Sequence, residues 1–104
     1  MKKYFVVAVA ALALAGQARA DQMAQGKELF LSGAKPIACA VCHTLEDAGS
    51  AGAIGPNLDE LKPAQEQILK VMLEGVGAMP SFAQTMSEEE RTAVAAYVSS
   101  VAGQ

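Results

Sequence analysis

The C-terminal quarter of the chain carries its clearest periodic pattern. Apolar residues recur at Val94, Tyr97, Val98 and Val101, spaced i, i+3, i+4 and i+7, which predicts an amphipathic helix with one face against a partner. Its start is marked by Ser87 with Glu90 three residues on, the pattern of a capping box, and by Glu88 and Glu89 at the positive end of the helix dipole. A second helix is expected from about Ala64 to Glu74, begun after Pro63 and stopped at Gly75, with Ile68, Leu69, Met72 and Leu73 as its apolar stripe. Another should run from about Gln22 to Leu31, with Met23, Gly26 and Phe30 on one face and Gly33 just past its end. Glycine inside a helix costs stability relative to alanine, so Gly26 marks a close crossing, and Tyr97 of the last helix is the natural residue to cover it. Cys39 to Thr44 should form a short helical turn, followed by a flexible loop from Ala48 to Ala53 whose small residues let the backbone approach something flat. No period-two alternation is long enough for a strand pair, so the fold class is all-α.

The first 20 residues read differently. Lys2 and Lys3 precede an uncharged run from Tyr4 to Ala15 and a small-residue end, Ala18-Arg19-Ala20, the pattern of a signal peptide cleaved before Asp21. A membrane-spanning helix needs about 20 apolar residues, and Gly16, Gln17 and Arg19 end this run too early. The expected organisation is therefore a cleaved leader, 1–20, and one domain, 21–104, exported to the periplasm with no membrane anchor after cleavage. The mature part carries five cations (Lys27, Lys35, Lys62, Lys70 and Arg91) against all eleven acids, a net charge of −6, which excludes nucleic-acid binding by charge. Its 84 residues bury little core unaided, so a disulfide, a metal or a cofactor is expected to staple the fold.

The only two cysteines sit in Cys39-Ala40-Val41-Cys42-His43, and that histidine is the only one in the chain. A disulfide is the simple reading for an exported protein, but the spacing is that of the CxxCH haem-attachment motif. Two thiols on one helical turn reach the two vinyl groups of a haem, while the next residue projects an imidazole toward the iron. A thioredoxin-like redox pair would need a preceding strand, and Ser32-Gly33-Ala34-Lys35-Pro36 reads as a loop. A structural zinc site would need a carboxylate to complete two Cys and one His. The leader and the motif agree independently, because the leader sends the chain where such haem is attached.

With no second histidine, a second axial ligand has to come from Met23, Met72, Met79 or Met86. Met23 and Met72 fall on core faces of helices, where methionine commonly fills gaps. Met79 lies in the loop Gly75-Val76-Gly77-Ala78-Met79-Pro80, which can present a side chain to a haem face, and Met86 is next in order.

From about Gln22 to Ala102 the chain resembles a class I c-type cytochrome of the small bacterial periplasmic kind. The segments that carry the likeness are Gly26-Lys27-Glu28-Leu29-Phe30, Cys39-Ala40-Val41-Cys42-His43, Gly55-Pro56-Asn57-Leu58, and Met79-Pro80 followed by the helix with Tyr97. The resemblance implies a bundle of three to four helices wrapped around one haem c, attached through Cys39 and Cys42, with His43 and Met79 on the iron. It implies that the first and last helices cross in contact at Gly26, Phe30 and Tyr97. It also implies that the Pro56 carbonyl accepts a hydrogen bond from the other nitrogen of His43. The mature chain has no Trp, one Arg and one Tyr, a poor donor set for the haem propionates; Asn57, Ser81, Gln84 and Lys62 stand as substitutes. The cofactor-binding set is thus Cys39, Cys42, Pro56 and Asn57.

A site saturated by His and Met carries one electron and has no open position for a substrate, so the expectation is an electron-transfer protein and not an enzyme. The expected partners are a periplasmic dehydrogenase as donor, such as a molybdenum sulfite dehydrogenase, and a cytochrome or oxidase as acceptor, met as a monomer or in transient complexes. Ile37, Ala38, Ala40, Val76, Ala78 and Phe82 are candidates for an apolar docking patch or for core. An obligate haem subunit of an oxidoreductase complex and a ligand-binding haem protein with a labile Met79 are the alternatives.

Overall fold

The computed structural model describes residues 2–104, with side chains from residue 14 onward. Helix α1 (Lys2–Glu28) is followed by a π-helical turn over Leu29–Gly33, then α2 (Cys39–Cys42), β1 (Thr44–Leu45), a 3₁₀ turn over Glu46–Ala48, β2 (Ser50–Ala51), α3 (Leu58–Leu61), α4 (Gln65–Glu74) and α5 (Glu88–Val101). The architecture is all-α, as the periodicity predicts.

α5 starts where expected. The Ser87 hydroxyl accepts from the Glu90 N–H at 3.1 Å, and the Glu90 carboxylate accepts from the Ser87 N–H at 2.9 Å, closing the capping box. Val94, Tyr97 and Val98 are each 2% exposed, so the predicted stripe is the face turned inward. It packs on α1. A Cβ on Gly26 would stand 2.2 Å from the Ala93 carbonyl oxygen and 2.6 Å from the Tyr97 Cβ, so glycine is what lets these backbones meet. Phe30 and Tyr97 meet edge to face with centroids 6.2 Å apart, a favoured aromatic geometry.

Three local expectations need correction. The first helix begins at Lys2 and its regular part ends at Glu28, with Leu29 to Gly33 widened into a π turn, a distinction that spacing of apolar residues does not resolve. Residues 48–53 are not a free loop: Ser50–Ala51 pairs antiparallel with Thr44–Leu45. Two-residue strands are too short for alternation to show, and the ladder is held by Gly49 at φ 67° and by the Ser50 hydroxyl, which donates to the His43 carbonyl at 2.9 Å. The stripe of α4 is also rotated. Ile68 and Met72 are buried, while Leu73 is half exposed, and the inward face includes Val71.

A short helix unforeseen in the sequence, α3, begins at Asn57, whose side-chain oxygen accepts from the N–H groups of Asp59 and Glu60. Asp59 in turn ties separate segments: its two carboxylate oxygens accept from the N–H of Glu46 at 2.8 Å and of Gly103 at 2.9 Å. The bond from Gly103, and then that from Glu46, hold the carboxyl below its ordinary value of 3.8. A depressed native value means that this stabilisation is complete above the unfolded-chain value and is lost as pH falls through the native one. Thermal melts taken from about pH 6 downward should therefore show Asp59→Asn destabilised most at the upper end, with the gap to the parent narrowing only as the pH falls below the ordinary aspartate value toward the depressed native one.

On the other side of the β1–β2 hairpin the Tyr97 hydroxyl donates to Asp47 at 2.5 Å, and the Lys27 ammonium lies 3.6 Å from the same oxygen. Burial, and then the bond to Asp47 and its charge, push the Tyr97 phenol far above its ordinary range. At neutral pH Tyr97 is therefore a neutral donor to Asp47.

A haem-binding cavity between the strap, the Met loop and two helices

The turn α2 places Cys39 and Cys42 three residues apart on one face. Burial, with a smaller contribution from the neighbouring Cys42, pushes the Cys39 thiol up to about 11 against a lowering backbone hydrogen bond. At neutral pH it is protonated, which disfavours thiolate chemistry and disulfide exchange at this cysteine.

His43 follows at the end of the turn, where its backbone is extended and its N–H donates to the Cys39 carbonyl at 2.9 Å. Its Nδ1 donates to the Pro56 carbonyl at 2.7 Å, the contact the resemblance implies. That bond holds the proton of the neutral ring on Nδ1 and turns Nε2, the other nitrogen, to the metal-ligand role. The strap from Gly52 to Pro56 lies directly against this ring. A Cβ on Gly55 would stand 2.6 Å from His43 Cε1, and one on Gly52 would stand 2.6 Å from the Cys42 carbonyl carbon. The flat object that the small residues admit is the imidazole and the peptide that bears it. The Gly55 N–H also donates to the Cys42 carbonyl at 2.7 Å, and the Thr44 hydroxyl to the Gly52 carbonyl at 2.9 Å, so the strap is laced down along its length.

Met79 ends a tight turn in which Val76 and Met79 exchange backbone hydrogen bonds at 3.0 and 2.9 Å. Two glycines permit it. Gly77 has φ 55°, and Gly75 has φ 73° with a notional Cβ only 2.9 Å from the Ser81 nitrogen. The turn is anchored behind by the Phe82 N–H on the Met72 carbonyl at 2.7 Å and by the Ser81 hydroxyl on the Leu73 carbonyl at 2.6 Å.

These pieces line one cavity of about 370 Å³, walled by α2, the strap, α4, the Met loop and α5. Cys39, Cys42, His43, Pro56 and Met79 all face it, among walls that are otherwise almost entirely apolar: Phe30, Ile68, Val94 and Val98 lie behind them. Two thiols on one turn, an imidazole with a free Nε2 and a thioether around an apolar slot fit a haem. They do not fit a bare ion, since among the described residues no three His, Cys, Asp or Glu side chains gather as a ligand set. Met72 also lines the cavity, as a buried side chain of α4, whereas Met86 is buried outside it.

The remaining sequence candidates fall elsewhere. Asn57 spends its side-chain oxygen on capping α3 and does not line the cavity, and neither do Ser81, Gln84 and Lys62. Arg91 donates to the carbonyls of Met86 and Ala83. Gln67 does line the cavity and was missed; the helical spacing from Gln67 to Val71 on α4 was the available signal. Of the apolar patch candidates, Phe82 is core at 2% exposure, while Val76 is 63% exposed beside the cavity. Ile54, 72% exposed on the strap, belongs to the same rim and gave no sign in the sequence.

The family described as cytochrome c oxidase, cbb3-type, subunit III, matches residues 21–98. No curated protein matches the chain. Among solved structures, the c-type cytochrome SorU from Sinorhizobium meliloti is 49% identical, with a TM-score of 0.76, over 81% of this chain and 94% of that one. With the CxxCH turn beside an apolar slot, the family match over residues 21–98 and the 49% identity to a c-type cytochrome, the chain belongs to the small class I c-type cytochromes, and its cofactor is one covalent haem c, for which Cys39 and Cys42 have the attachment spacing.

Proposed function

We propose that this cytochrome is a periplasmic one-electron carrier whose iron is held by His43 Nε2 and Met79 Sδ. The observation that carries the reading is the shared cavity: His43, oriented by the Pro56 carbonyl, and Met79, presented by a turn that two glycines permit, line the same apolar slot as the two attachment cysteines. Haem c supplies a one-electron couple at its iron. The chain supplies the rest. The Pro56 carbonyl fixes the imidazole plane and raises its basicity, and a soft thioether from Met79 favours the reduced state and a comparatively high potential. Phe30, Ile68, Val94 and Val98 keep water from the slot, and Val76 and Ile54 offer an apolar rim for contact with a partner.

Export is supported by the basic start and apolar run of the leader and by a family match that begins at residue 21. Residues 14–20 of α1 are exposed, so cleavage before Asp21 uncovers no core. Among the described residues no helix is long and apolar enough to cross a membrane. A mature charge of −6 favours a neutral or basic docking surface on the partner and an on-rate that falls with salt. A periplasmic dehydrogenase as donor, with a cytochrome or oxidase as acceptor, suits that surface and location, and a sulfite dehydrogenase is one such donor. The family's description names an oxidase subunit, which favours a second reading as a stably bound haem subunit. Co-purification of a partner with the tagged protein at physiological salt would decide for the subunit.

The ligand assignment is tested by optical spectra of the oxidised and dithionite-reduced protein, with carbon monoxide added to the reduced sample. The parent should show sharp low-spin c-type bands unmoved by carbon monoxide. Met79→Ala should keep its covalent haem, become high-spin or water-ligated, bind carbon monoxide promptly and fall in potential. A low-spin His/Met spectrum surviving in Met79→Ala would move the ligand to Met72, the other thioether on the cavity wall. Prompt carbon monoxide binding by the parent would favour the ligand-binding alternative.

A further inference from the structure

We propose that Asp59 is a positioning residue for His43, holding closed the frame that keeps the imidazole on the Pro56 carbonyl. The frame has four sides. One is the hydrogen bond from His43 Nδ1 to the Pro56 oxygen at 2.7 Å, and the opposite one is the bond from the Glu46 N–H to Asp59 Oδ2 at 2.8 Å. The other two are the chain itself, since Glu46 and Asp59 each lie three residues beyond His43 and Pro56. The two bonds span the same sequence separation, 13 residues, so they are successive struts between the same two segments. Each chain edge is stiff: Thr44–Leu45 is paired with Ser50–Ala51, and the path from Pro56 to Asp59 enters the capped helix α3. A frame with two rigid edges opens only if both struts give way.

Asp59 adds an external anchor. Its second carboxylate oxygen accepts from the Gly103 N–H at 2.9 Å, just beyond α5, whose Val94 and Val98 form the back of the haem cavity. The strap side of the haem and the helix behind it are thus joined through one side chain. A carboxylate suits the task because it is acceptor-only with two oxygens, and both N–H bonds to it are charge-assisted. Asparagine keeps the shape but offers one acceptor oxygen, and alanine offers none.

The inference rests on His43 as iron ligand, and the experiment separates the two claims. In the ferrous holoprotein, NMR follows solvent exchange of the His43 Nδ1 proton in the parent, in Asp59→Ala, in Asp59→Asn and in Tyr97→Phe. The last variant removes the bond to Asp47 without changing charge and lies outside the frame. Exchange should be about tenfold faster in Asp59→Ala, faster by less in Asp59→Asn, and slower than both in Tyr97→Phe. Unchanged exchange in Asp59→Asn overturns the proposal even if the alanine variant fails to fold, and equal acceleration in Tyr97→Phe overturns it by showing general loosening. His43 ring protons lacking the large porphyrin ring-current shift would instead remove the ligand assignment itself; shifted ring protons with insensitive exchange would remove only the role of Asp59.

Discussion

Replacing His43 with alanine should abolish normal holoprotein. No second histidine exists in the chain to take its place. The side chain is also set before metal binding: its Nδ1 proton is committed to the Pro56 carbonyl at 2.7 Å, and Gly55 packs against the ring so closely that no Cβ fits. Loss of an outer hydrogen-bond partner alone commonly costs about 10–100-fold in metal affinity, so loss of the ligand itself should leave almost no low-spin product. The consequence extends to folding. The cavity of about 370 Å³ is walled almost entirely by apolar side chains, and leaving it without the haem exposes them to water at about 25 cal/mol per Å². A small domain has only about 5–15 kcal/mol of stability to lose. His43→Ala should therefore accumulate as a poorly folded, protease-sensitive chain, seen as loss of the Soret band together with loss of helical circular dichroism after export. Cys39→Ala and Cys42→Ala should be milder, since each leaves one thioether and the imidazole. A His43→Ala protein with a normal c-type spectrum would remove His43 from the iron.

Gly26→Ala should lower stability by about 3 kcal/mol, although the same change in a solvent-facing helix would raise it by about 1 kcal/mol. The sign is decided by the neighbours. The added methyl would lie 2.2 Å from the Ala93 carbonyl oxygen and 2.6 Å from the Tyr97 Cβ, and neither belongs to the free end of a flexible side chain. Relief requires α1 and α5 to move apart, which loosens Phe30 from Tyr97 and strains the Tyr97 bond to Asp47. For a domain of this size the loss corresponds to a fall in Tm of roughly 12–24 °C, measured on the holoprotein by circular dichroism. A variant as stable as the parent would mean that the two helices do not cross where the structure places them. The haem spectrum should survive at low temperature, because Gly26 touches none of the groups assigned to the iron.

Much of this was legible along the chain. The capping box at Ser87, the stripe of α5, the stop at Gly75 and the need for a glycine at the α1–α5 crossing are local or periodic signals, and the structure has each of them. The attachment motif was equally legible, because two thiols and an imidazole must lie within one turn of chain to serve one haem. Groups brought together from afar were less so. Pro56 was assigned to His43 only through resemblance, and Asp59 gave no signal, because its partners Glu46 and Gly103 contribute backbone N–H groups that any sequence would supply. Asn57 was read as a cofactor contact, and its side-chain oxygen also starts α3, a common use of an asparagine before a helical turn that its place after Pro56 did not reveal.

The sequence by itself thus determined an all-α domain, the place of haem attachment and the identity of the single possible histidine ligand, since these rest on near-neighbour spacing and residue counts. Only the tertiary structure decided which thioethers reach the cavity, that Met72 stands there beside Met79 while Met86 does not, and that α4 turns Gln67 and Val71 toward the slot. The physical reason is that helix periodicity reports how apolar a face is but not what covers it. Apolar side chains that meet a neighbouring helix and those that meet a flat cofactor look alike until the chain has closed around both.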